Sequence, residues 1–133
     1  DPGAKSAAGD KEADLNLQLV KRILALNKNP QIKFELSRDK DEFVKVQDRT
    51  LFATDKNADL FVSVHINASP NTSTNGLQIL CPKKEAAAYT QSAILGSVMK
   101  SSLQGIFGST EVKTRANLVD SDFRCSRQAA ATH

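Results

Sequence analysis

Tryptophan is absent from this chain, and Tyr89 is its single tyrosine. Surfaces that hold single-stranded nucleic acid stack bases on aromatic side chains set among basic ones, and the Lys and Arg residues here are scattered. The 18 basic and 15 acidic side chains leave a charge of +3, which permits an anionic partner without demanding one. Nucleic acid is therefore not expected as a partner. Cysteine is equally scarce: Cys81 and Cys125 neither build a disulfide framework nor supply the paired spacing of a structural zinc site, so they leave the compartment open. No apolar run approaches the roughly 20 residues of a membrane-crossing helix, and no glycine-rich phosphate cradle occurs. The chain starts Asp1-Pro2-Gly3 without methionine, as a processed product or a piece of a longer protein would.

What remains is ordinary globular material. With 133 residues, 40% hydrophobic and 25% charged, the chain suits one domain with its own core. Leu15, Leu19, Val20, Ile23 and Leu26 recur at helical spacing and predict a helix from about residue 12 to 27, with Asp10 as N-cap and Asn29-Pro30 as the stop. Residues 32–36 alternate with period two, as a half-exposed edge strand does. Val46, Leu51, Phe52 and Ala53 supply the inner stripe of a second helix ending near Asn57. A strand from about Ala58 to His65 follows, then a loop over 69–75 and a strand after Gly76 that Pro82 closes. Residues 85–103 read as a long helix with Ala88, Ile94, Leu95, Val98, Met99 and Leu103 on its buried side, ended by Gly105 and Gly108. Strand and helix alternate, so the expected fold is α/β, a single domain with a mostly parallel sheet flanked by helices. The domain is placed at residues 1–119. Leu118-Val119 could begin a strand, and 120–133, without a sustained period, form a tail of unclear structure.

Leu60-Phe61-Val62-Ser63-Val64 leads directly into His65. An apolar run of this kind suits a strand buried on both faces of a parallel sheet. Ligands gather at the carboxyl ends of such strands, where an imidazole can ligate a metal or carry a proton near neutral pH. On this segment alone, a histidine bonded to a neighbouring loop fits equally well. Glu12, at a helix start, can meet His65 at one rim of the sheet, and the two together suit a divalent cation such as zinc. Taken alone, Glu12 also reads as a first-turn acid facing the helix dipole. Arg38, Arg49, Asp39 and Asp41 read as a solvated surface network, and Asn67 as a turn residue that serves the backbone or orients His65. Ser63 has no acid-base partner in view, which gives a serine hydrolase little support.

Five separated motifs fall in order: Asp1-Pro2-Gly3-Ala4; Glu12, eight positions after Ala4; Leu36-Ser37-Arg38; Phe43 with Arg49; and residues 58–68, ending Ser63-Val64-His65-Ile66-Asn67-Ala68. Together they resemble the zinc-dependent N-acetylmuramoyl-L-alanine amidases of the amidase 3 type, over roughly residues 1–80. The resemblance implies an α/β sheet flanked by helices, with Glu12 and His65 as two of three protein ligands to Zn2+. It implies a substrate too, bacterial peptidoglycan in the periplasmic or extracellular cell envelope, cut between N-acetylmuramic acid and the L-alanine of the stem peptide. Two departures stand beside it. The family's first zinc histidine would precede Asp1, and its catalytic glutamate, near the carboxyl end, has no counterpart, since the last glutamate is Glu111 and Asp120 and Asp122 are poor substitutes. The chain as written is therefore expected to bind zinc weakly and to have little amidase activity. The alternative is a catalytically inactive, amidase-like domain that binds peptidoglycan without cutting it. A third reading makes Glu12 and His65 purely structural in a cytoplasmic α/β domain.

Overall fold

The computed structural model describes residues 3–66, 71, 73 and 75–114. Asn67, Leu118, Val119, Asp120, Asp122, Cys125 and the tail at 120–133 lie outside the described residues. The described chain runs α1 (Glu12–Leu26), α2 (Val46–Asp55), β1 (Leu77–Cys81), α3 (Tyr89–Leu103) and β2 (Thr110–Thr114), an α/β arrangement as expected.

The strands β1 and β2 pair in parallel, with Leu77 opposite Thr110 and Cys81 opposite Thr114. Parallel neighbours require a crossover, and α3 supplies it, packing on both strands. Gly96 is the buried residue of α3, and a side-chain carbon there would come within 3.2 Å of Cys81 Sγ and Val112 Cγ1 and 3.4 Å of Ile79 Cγ2. Glycine costs a helix some stability in isolation; here the missing side chain lets the helix settle on the sheet. Cys81, Pro82 and Ala88 are buried along this seam. The Cys81 thiol donates to the Ser92 carbonyl at 3.3 Å, and burial pushes its pKa up, which keeps the thiol neutral.

Several expectations change. The third helix begins at Tyr89, after turns over residues 84–88, and its inward side carries Leu95, Gly96, Met99 and Leu103. Ile94 (61% exposed) and Val98 (57%) face outward instead. The expected stripe spans two neighbouring registers of the 3.6-residue period, and the structure keeps the one that contains Gly96, which contributes nothing to an apolar count. The strand β2 was not anticipated, although Thr110, Val112 and Thr114 alternate with charged residues in the manner of a strand.

Residues 32–36 and 58–66 are not paired into a ladder among the described residues, and Leu60 and Val62 are about half exposed. A β-branched, apolar sequence favours extension, but only a neighbouring strand satisfies its backbone groups. The α1 boundaries agree closely with the expectation, yet the stripe Leu15, Leu19, Ile23 and Leu26 is solvent-exposed. In α2, Thr50 and Ala53 are buried while Val46 and Leu51 are exposed. Asp10 is not the α1 cap. Lys11 holds that position without a side-chain bond, and the Asp10 carboxylate accepts from the Ser6 hydroxyl at 2.9 Å.

Candidate metal centre

Glu12 opens α1, and the chain before it doubles back to hold it. Lys5 and Lys11 form an antiparallel bridge, and the Gly9 amide donates to the Ser6 carbonyl at 3.0 Å, closing the turn between them. Ala4 and Glu12 are joined twice: the Glu12 amide donates to the Ala4 carbonyl at 2.9 Å, and the Ala4 amide donates to Glu12 Oε2 at 3.0 Å. Gly3 lies against the same carboxylate with φ +67°, and a side-chain carbon there would fall 2.9 Å from Glu12 Cβ. Both features require glycine.

The second carboxylate oxygen faces the segment leading to His65. Glu12 Oε1 accepts from the Ile66 amide at 3.0 Å and stands 3.1 Å from His65 Nδ1. The Glu12 side chain is only 14% exposed, against 59% for His65. The Ala4 amide is the main cause of a Glu12 pKa below the ordinary 4.5; burial works the other way, and the Ile66 amide and His65 add to the lowering. An anionic acceptor is thus held in place by backbone donors. The acid reaches across to a separate segment, beyond the dipole role open to any first-turn carboxylate.

Ser63 completes the row. Its Oγ is 3.0 Å from His65 Nε2, because alternate residues of an extended segment project to one side. The expectation that Ser63 lacks an acid-base partner is corrected here. The i, i+2 spacing alone was the available signal. The amides of Ala4 and Ile66, which fix Glu12, have no side-chain signature and could not be read from residue types.

The Arg38 guanidinium ties this region together by donating to the Ala13 carbonyl of α1 and, at 3.0 Å, to the Lys40 carbonyl. Arg49 Nε donates to the Val44 carbonyl at 3.0 Å. Both arginines therefore serve backbone carbonyls, where a network of surface ion pairs was expected.

The donor set suits zinc in kind and spacing. Adjacent corners of a tetrahedron with bonds of about 2.0–2.1 Å lie roughly 3.3 Å apart, close to the 3.1 Å between Glu12 Oε1 and His65 Nδ1. Among the described residues no third His, Cys, Asp or Glu joins them in a metal-holding group. No described helix is long and apolar enough to cross a membrane.

A carboxylate from a helix start and an imidazole from an extended apolar segment thus converge at one point of the fold. Residues 1–130 match the amidase 3 family model, described as N-acetylmuramoyl-L-alanine amidase, and the chain belongs to that family. It is 45% identical over 71 residues to the endolysin of Bacillus phage SPP1, an alignment covering 53% of this chain and 26% of that protein. It is 29% identical over 103 residues to N-acetylmuramoyl-L-alanine amidase AmiC of Escherichia coli O6:H1, covering 77% of this chain and 25% of that one. The sporulation-specific N-acetylmuramoyl-L-alanine amidase of Bacillus subtilis is 34% identical over 73 residues, covering 54% of this chain and 29% of that protein. The chain thus spans between a quarter and a third of the length of these relatives.

Proposed function

We propose that this chain is part of a zinc-dependent peptidoglycan amidase that hydrolyses the amide between N-acetylmuramic acid and the L-alanine of the stem peptide. The observation that carries the reading is the convergence of Glu12 and His65, held by the Ala4 and Ile66 amides, within a family match over residues 1–130. In this reading Glu12 and His65 hold the metal, and residues 1–119 form the amidase-like body. The activity belongs in the periplasmic or extracellular envelope, where peptidoglycan is found.

Bound zinc would supply an acidified water and a Lewis acid for the amide carbonyl. The chain's own contribution is placement. The two backbone amides fix the carboxylate, so little ordering cost remains when a cation arrives, and the depressed Glu12 pKa keeps that carboxylate charged through the neutral range. His65 is the more exposed partner and forms the open side of the site.

Zinc content and affinity of the purified chain, with Glu12→Ala and His65→Ala as controls, test the metal reading. Zinc bound by the parent and lost in both variants supports it; zinc retained by either variant overturns it. Release of stem peptide from peptidoglycan by the zinc-loaded chain separates an active amidase from a member that binds peptidoglycan without cutting it. Cleavage requires a third protein ligand beside Glu12 and His65, the two donors that converge among the described residues.

A further inference from the structure

We infer that Ser63 is a positioning residue for the metal centre, holding the His65 ring so that Nδ1 is the nitrogen presented to a cation beside Glu12. The inference rests on the metal-binding reading above. His65 is 59% exposed, so packing does not by itself fix its ring. Two polar contacts do, with Glu12 Oε1 3.1 Å from Nδ1 and Ser63 Oγ 3.0 Å from Nε2. A cation shared by Glu12 and His65 would replace the first contact, leaving Ser63 as the polar anchor on the ring.

A hydroxyl suits that task because it both donates and accepts. Without metal, an Nδ1–H tautomer would donate to the Glu12 carboxylate and leave Nε2 to accept from the Ser63 hydroxyl. When Nδ1 gives its lone pair to a cation, its proton passes to solvent and Nε2 takes one up, so the ring stays neutral. The Ser63 Oγ then accepts from Nε2–H. A group that only donates or only accepts would satisfy one of these states and oppose the other. Partners on the far nitrogen of a metal-binding histidine commonly change metal affinity by about 10- to 100-fold. The position of Ser63 follows from the chain itself, two residues before His65 on the same side of an extended segment.

The test uses the full chain labelled with 15N on its histidine rings, held near pH 8, above the ordinary imidazole range, with the parent, Ser63→Ala and Ser63→Thr compared. Long-range 15N–1H spectra report which ring nitrogen carries the proton, and competition against a chromophoric chelator reports zinc affinity. We expect the metal-free parent to carry the His65 proton on Nδ1 and the zinc-loaded parent to carry it on Nε2. Ser63→Ala should keep the metal-free tautomer, which the Glu12 carboxylate holds, but weaken zinc by roughly 10-fold; Ser63→Thr, which keeps the hydroxyl, should restore the affinity. A Ser63→Ala chain with the parent's zinc affinity overturns the inference, as does a Ser63→Thr chain that fails to recover it. If the parent binds no zinc, the metal reading fails, while the Nε2 signal of the metal-free parent and Ser63→Ala still decides whether the Ser63 hydroxyl bonds that nitrogen.

Discussion

Glu12 Oε1 and His65 Nδ1 stand 3.1 Å apart although 53 positions separate them in the chain. The contact joins the start of α1 to an extended segment with which α1 shares no ladder. Each partner has further support: backbone amides on Glu12 and the Ser63 hydroxyl on His65. Several outcomes depend on that arrangement.

Removing the carboxylate leaves the Ala4 and Ile66 amides without their acceptor. Glu12→Ala is expected to destabilise the metal-free chain by about 1–3 kcal/mol, the usual cost of orphaning partly buried donors. Urea unfolding in the presence of a chelator measures this. Unchanged stability would mean that the amides find water at no cost.

The same contacts set an acid dependence. The folded-state Glu12 pKa lies below its ordinary 4.5, so the unfolded chain takes up a proton first as pH falls. The Glu12 contribution is therefore fully present above the unfolded value and fades as pH drops through the folded one. The urea midpoint of the metal-free parent should fall faster than that of Glu12→Gln as pH is lowered below about 4.5. Parallel curves would refute this.

Gly3 sits at φ +67° with the Glu12 carboxylate where a side chain would go. Gly3→Ala places a non-glycine residue in the left-handed region, at about 1–2 kcal/mol, and displaces Glu12. Lower stability together with weaker zinc binding is the expected result. A stability loss with parent-like zinc affinity would show that Glu12 accommodates the methyl group without moving.

At the other end of the described chain, Gly96→Val pushes two methyl groups toward Cys81, Val112 and Ile79. Overpacking of this kind costs typically about 1–3 kcal/mol. No element contact links α3 with α1, so zinc affinity under native conditions should stay at the parent level. A variant that unfolds more easily yet binds zinc normally would bear out this separation; coupled losses would contradict it.

Local chemistry was legible along much of the chain. The α1 stripe and its Asn-Pro stop gave a helix within a residue of its observed end, and β1 falls between Gly76 and Pro82 as turn chemistry requires. Glu12 and His65 were readable as candidates because few residue types bind a divalent cation, and motif order linked them to one family. The fate of an apolar face was not legible. The stripe of α1 and the run before His65 are both apolar, yet both stay largely exposed among the described residues, since burial needs a partner surface that periodicity does not name.

By itself, then, the sequence determined which segments are helical, which residues have the chemistry of a zinc site, and the family to which the chain belongs. Only the tertiary structure decided that the Ala4 and Ile66 amides hold Glu12, that Ser63 meets His65, and that Gly96 is where α3 meets the sheet. Those are relations between groups distant in the chain or lacking a side-chain signature. Backbone amides and a missing β-carbon act through position, and position is fixed only when the chain has folded.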